Sequence, residues 1–294
     1  MTAAIFNPYE PKIVIGGTHS GYIVQWDIRE KTMPVQRSLL SHNGHTYPIF
    51  SLAIVGSANA HNIVSVSNDG RLCMWTLGML NEPQKQIDLK KHHTTKSDEV
   101  SSHCIAFPDG EMNNFYVGAE DANIYHAQIH TSVENSDNVV ESFAGHQASI
   151  TGLHVHPVQQ ERNSDAYSLL LSSSVDWSVR LWHPKFKKTS LFTFESAQDY
   201  IYDVQWSPVH PSVFASCDGE GYLDLWDINK DIEVPQERFK TGEKALNKLR
   251  WSPDGKKIVT GDSAGRLSVW GVDKDYYQPK EGELNKLERL IHKE

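Results

Sequence analysis

Cysteine is scarce in this chain. Cys73, Cys104 and Cys217 lie far apart with no metal-like spacing, which fits free, mostly buried thiols in a reducing compartment. No apolar run approaches the ~20 residues needed to cross a bilayer. The opening MTAAIFNPYE lacks the charged-then-apolar pattern of a secretory leader. The expected location is therefore cytosolic, with no membrane partner. Positive charge is short as well: a net charge of −9 argues against a general nucleic-acid binder, which carries a basic stripe. The local basic run from Lys90 to Lys96, KKHHTTK, reads as a solvated loop, His92-His93 included. There is no G-x-S-x-G, P-loop or G-x-G-x-x-G in a suitable context. Helical periodicity is missing until the extreme C-terminus.

What is present is one phrase written repeatedly. GYIVQWDIRE at 21–30 returns as GYLDLWDINK at 221–230. Further copies are IVSVSNDGRLCMW ending at Trp75, LLSSSVDWSVRLW ending at Trp182 and IVTGDSAGRLSVW ending at Trp270. A degenerate copy, FYVGAEDANIYHA, ends at Ala127. The markers at 26, 75, 127, 182, 226 and 270 are 49, 52, 55, 44 and 44 residues apart. That is near the ~40–45 residues of a four-stranded propeller blade with loop insertions. Each unit has a preceding strand that alternates with period two and ends in a turn signal, as in ITGLHVHP, IYDVQWSP and NKLRWSPDG. The fold class expected is all-β.

These units resemble the WD40 family along almost the whole chain. Two of them carry its full side-chain set: Gly44-His45 before Ser65, Asp69 and Trp75, and Gly145-His146 before Ser172, Asp176 and Trp182. The resemblance implies a hydrogen-bonded chain from indole N–H through Ser and His to Asp. Physical need agrees, because a half-buried indole or imidazole requires partners. Ser20, Glu220 and Ala264 replace the turn Asp in three other units, which are expected to rely more on packing.

The wording between repeats is more specific. VIGGTHSGYIVQWD, MPVQRSLLS, NAHNIVSVSNDGRLCMW, YIYDVQWSPVHPSVFA and LDLWDINKDIEVP are similar to cytoplasmic dynein intermediate chains. That resemblance implies a seven-blade propeller docking on the dynein heavy-chain tail. An N-terminal extension in that family binds light chains and dynactin. Only six repeats are visible here, and the extension and first blade are expected to be absent. Light-chain and dynactin binding is therefore not assigned to these residues. The expected layout is a propeller over 1–275 and an amphipathic tail over 276–294. The segment GVDKDYYQPK after Trp270 is expected either to return as the last blade's outer strand or to leave that edge unpaired. A WD40 adaptor outside the motor is the alternative, and a propeller enzyme with a central pocket is the rival from another class.

Candidate site residues follow from these readings. His154 and His156 stand two apart on a strand, but a zinc site needs further ligands, and none stands at suggestive spacing; no metal or other cofactor is expected. His45, Ser65 and Asp69 resemble a catalytic triad only superficially, since the same set recurs before Trp182, so no catalytic residue is assigned. Tyr200, at the start of an inner strand, is a candidate partner anchor. Leu284, Leu287, Leu290 and Ile291 form one apolar helical stripe. A lone helix of ~14 residues is marginal in water, so the stripe needs a surface, either the propeller itself or a partner, and its residues are candidate partner contacts.

Overall fold

Alternating apolar residues followed by a tight turn build the same hairpin throughout. In VFASCD and YLDLWD, six-residue strands are separated by residues 219–221, and Phe214 pairs with Trp226, Ser216 with Asp224. A four-stranded sheet results when an inner strand and an outer strand join such a hairpin. The computed structural model describes residues 1–30, 33–39, 41–91, 99–131, 138–157 and 168–293. His92-His93 and most of the basic run lie outside the described residues.

Among the described residues, six antiparallel sheets follow one another. Sheet 1 holds β1 (Ala3–Phe6), β2 (Ile13–Gly17), β3 (Ile23–Asp27) and β4 (Gln36–Arg37). Sheet 2 holds β5 (Ile49–Ser57), β6 (Ala60–Ser67), β7 (Arg71–Thr76) and β8 (Lys85–Asp88). Sheet 3 holds β9 (Ser102–Ala106), β10 (Asn114–Ala119), β11 (Asn123–Gln128) and β12 (Val139–Ala144). Sheet 4 holds β13 (Ile150–Val155), β14 (Leu170–Ser174), β15 (Val179–Trp182) and β16 (Phe192–Phe194). Sheet 5 holds β17 (Ile201–Trp206), β18 (Val213–Asp218), β19 (Tyr222–Asp227) and β20 (Glu237–Lys240). Sheet 6 has three strands, β21 (Leu246–Trp251), β22 (Lys257–Asp262) and β23 (Leu267–Gly271).

The chain divides into two compact units, Met1–Ser142 and Phe143–Glu294. In the first, Val64, Val66, Leu72, Phe115, Val117 and Ala127 share one core, and Ile15, Ile23, Ile49, Ile63 and Trp75 share another. In the second, Leu171, Leu181, Phe194, Trp206, Phe214 and Trp226 pack together. Each fully buried Val, Leu, Ile or Phe contributes about 1.5–3 kcal/mol, so these interlocking layers dominate the stability.

After β23 the chain does not return as a strand. Residues Lys274–Tyr277 form the short helix α1, and Glu283–Ile291 form α2. Of the two outcomes expected for GVDKDYYQPK, the outer strand is not formed and the edge of β23 stays unpaired among the described residues: Asp273, Asp275 and Lys274 break period-two alternation, and the segment coils instead. No helix among the described residues is long and apolar enough to cross a membrane.

Candidate functional site

Sheets 2 and 4 each close a four-residue hydrogen-bond relay. In sheet 2, Trp75 Nε1 donates to Ser65 Oγ at 2.8 Å, and Ser65 Oγ lies 2.8 Å from His45 Nε2. His45 Nδ1 meets Asp69 Oδ2 at 3.2 Å. Asp69 also accepts from the Thr46 and Arg71 amides, so its carboxylate ties two loops together. In sheet 4, Trp182 Nε1 donates to Ser172 Oγ at 2.8 Å, which lies 2.6 Å from His146 Nε2, and His146 Nδ1 meets Asp176 at 2.8 Å. With the proton on Nδ1 facing the carboxylate, Nε2 accepts from the serine hydroxyl, and the hydroxyl accepts from the indole. Each serine is fully buried between its two partners. A nucleophile needs an open approach to its oxygen; these hydroxyls are sealed on both sides.

The charges respond accordingly. Burial pushes the Asp69 and Asp176 carboxyls up, but the hydrogen bonds and charges of His45 and His146, joined by donors of the turns, together outweigh it and hold both below the usual carboxylate range. Burial pushes the His146 imidazole down, against the pull of Asp176. His154 and His156 are used locally: His154 Nδ1 accepts the Trp206 amide at 3.1 Å, and His156 Nε2 donates to the Pro211 carbonyl at 2.6 Å. Burial pushes both imidazoles down to about 4. Among the described residues no group of three or more His, Cys, Asp or Glu side chains is placed to hold a metal ion.

The units without the turn Asp keep an anchored turn. Thr18, Asp218 and Asp262 accept from the amides of Tyr22, Tyr222 and Arg266, each four residues on. The acceptor has moved two positions earlier, so these turns keep a side-chain anchor beside the packing that they were expected to rely on more. Sheet 5 adds a charged clamp: the Arg238 guanidinium sits 4.2 Å over the Tyr222 ring and 3.5 Å from both Asp218 and Asp224. Burial, together with the charges of Asp224 and Glu220, pushes Asp218 up to about 6.

The tail leucines are corrected more strongly. Leu287 and Ile291 are 0% and 5% exposed within the core of sheets 4 and 5, with Leu284 and Leu290 packed against it. Asn229 Nδ2 donates to the Glu283 carbonyl and carboxylate and pins the start of α2. Of the two surfaces expected for the stripe, the chain's own core takes it, so the candidate role of these four residues as partner contacts is corrected. Tyr200, by contrast, is 44% exposed. Its ring meets Tyr202 edge-on at 6.4 Å. Sequence reasoning missed Trp177, which is 49% exposed in the sheet 4 turn. The signal was available, because SVDWSV aligns Trp177 with the Gly of SNDGRL.

The WD domain, G-beta repeat model matches residues 36–76, 137–183 and 234–271. The cytoplasmic dynein 1 intermediate chain of Drosophila melanogaster is 41% identical over 283 residues, covering 96% of this chain. The chain belongs to the WD40 repeat proteins, in the dynein intermediate chain family. It spans 41% of the length of that relative. The three matched stretches of this WD40 chain share a physical feature. They contain the Trp residues whose indole donates to a hydroxyl: Trp75 to Ser65, Trp182 to Ser172 and Trp270 to Thr260. In sheet 5, where β17, β18 and β19 lie outside the matched stretches, the buried Trp226 indole N–H has no partner, and its ring stacks on Phe214 at 5.8 Å instead. The family signature thus follows the indole hydrogen bond, while in sheet 5 the Trp ring is held by packing and the turn by Asp218 and Arg238.

Proposed function

We propose that the chain is a non-catalytic intermediate-chain subunit of a cytoplasmic dynein motor, a rigid platform that docks on the heavy-chain tail. The observation that carries this reading is identity of 41% sustained over 96% of the chain, extending through linker segments that no generic repeat requires. Sealed Ser65 and Ser172 support a structural rather than a catalytic role for the relays. On this reading the protein works in the cytoplasm on microtubules, and light chains and dynactin are not partners of these residues. Residues 1–275 serve as the platform and 276–294 as a brace beneath it, consistent with buried Leu287 and Ile291. The platform follows a seven-blade design. Support comes from sheet 6, where β23 has no outer strand among the described residues. A heavy-chain tail fragment should co-purify with the full chain, and the purified chain should show no hydrolase or oxidoreductase turnover. Failure to retain the tail fragment at low salt contradicts the docking role.

A further inference from the structure

Six hairpin turns place a residue at the same left-handed position, and five of them use a small one. Gly21, Gly70, Gly221 and Gly265 have φ between 72° and 87°, and Ala122 has φ 69°. The sixth is Trp177, also at φ 69°. A β-carbon is disfavoured in this region, and a bulky residue there is a genuine outlier. The ring gains no specific partner in return: it is 49% exposed and makes no ring contact or side-chain hydrogen bond among the described residues. Backbone strain held for a half-exposed ring without a specific partner points to a benefit from outside the chain.

The surroundings indicate what comes. Ile150 of β13 pairs with Ser174 at the end of β14, and Thr151 Oγ1 donates to the Ile201 carbonyl at 2.5 Å. The Trp177 turn and Tyr200 therefore lie at the same end of neighbouring sheets. A β-carbon at Gly219 would collide with the Asp199 carboxylate, which places that carboxylate against the turn carrying Glu220. Asp199 and Glu220 make no ion pair among the described residues. Three cations of this region are engaged elsewhere: Arg238 by Asp218 and Asp224, Lys248 and Arg250 by Asp203 at 3.6 and 3.5 Å. Exposed rings beside unpaired carboxylates suit a cation, which lies over a ring face while its charge is met at the edge.

We infer that the rim formed by Trp177, Asp199, Tyr200 and Glu220 docks a partner segment that presents Lys or Arg side chains. This rests on the platform reading above and names the surface that platform uses. The test uses the full chain, a heavy-chain tail fragment, and two synthetic peptides, one Lys/Arg-rich and one Glu-rich. Trp177→Gly should melt at the same temperature or higher, by about 2–4 °C, and bind the tail fragment about tenfold more weakly or worse. Asp199→Asn with Glu220→Gln should weaken binding and flatten its salt dependence. Phe186→Ala, which removes an exposed ring outside the rim, should bind as wild type. A Trp177→Gly chain that is destabilised yet binds with unchanged affinity makes Trp177 a packing residue and overturns the inference. If wild type binds the tail fragment and every rim variant binds equally, the rim fails and the platform reading stands. If wild type ignores the tail fragment but prefers the Lys/Arg-rich peptide, the platform reading fails and the rim stands. Equal binding of both peptides overturns the charge assignment.

Discussion

Trp177 and Leu267 both leave apolar side chains in water, 49% and 77% exposed, yet for different reasons. The repeat supplies an internal control for each. Residues at the Trp177 position in the other five sheets are Gly or Ala, so nothing in the fold asks for a large side chain there. Residues equivalent to Leu267 and Val269 in sheet 5 are Leu223 and Leu225, which are 2% and 5% exposed. β20 pairs with β19 at those residues, whereas β23 has no such neighbour among the described residues. Leu267 and Val269 are thus written for burial and lack a cover. Trp177 is written for exposure. Fractional exposure alone does not separate an interface residue from an open edge; the counterpart in a sister repeat does.

The largest expected effect sharpens the edge side of this contrast. Leu225→Ala removes buried side-chain volume and should cost about 2–4 kcal/mol, while Val269→Ala should change stability by no more than about 0.5 kcal/mol. Urea unfolding of both variants checks this, and equal losses would mean that β23 is covered after all. Next, Asp176→Ala leaves His146 without its acceptor and should cost about 1–3 kcal/mol; Ala264→Asp, where Asp262 already holds the turn, should do little. Thermal melts of the pair decide it. Gly265→Trp rebuilds the sheet 4 situation where a β-carbon meets open space. It should therefore report backbone strain alone, about 1–2 kcal/mol. A neutral result would remove the strain argument for Trp177.

The smallest effect concerns pH. Asp176 is held below its ordinary range and His146 is pushed down, so sheet 4 loses stability as pH falls, first through the histidine range and then through the carboxylate range. Asp218 is pushed up to about 6, which favours its protonated form in the fold. Its contribution is fully present below the ordinary carboxylate value and is lost as pH rises through about 6. Melting curves taken from pH 4 to pH 7 should show Asp218→Asn stabilised relative to wild type at the upper end and indistinguishable at the lower. A larger gain at the acid end contradicts the burial account of Asp218.

Periodic features were legible in the sequence because every copy repeats them. The Trp spacing yields six sheets, and the order His, Ser, Asp, Trp yields both relays residue by residue. Features outside the repeat were not. Thr18, Asp218 and Asp262 anchor turns through different residue types two positions early, so no single motif marks them. The apolar stripe of α2 was evident, but helical spacing says which face is apolar, not what it lies on. Its destination depends on Asn229 and the sheet 4 and 5 core, more than fifty residues distant in the chain. Trp177 was visible only by lining up all six turns and asking which one breaks the rule.

Hydrogen–deuterium exchange on the full chain, with and without the heavy-chain tail fragment, tests the central claim most directly. The account predicts that in the free chain the Leu267 and Val269 amides exchange much faster than those of Leu223 and Leu225. Adding the tail fragment should slow exchange at residues 175–178 and 199–202. Slowing confined to residues 267–271, with the rim unchanged, would contradict it.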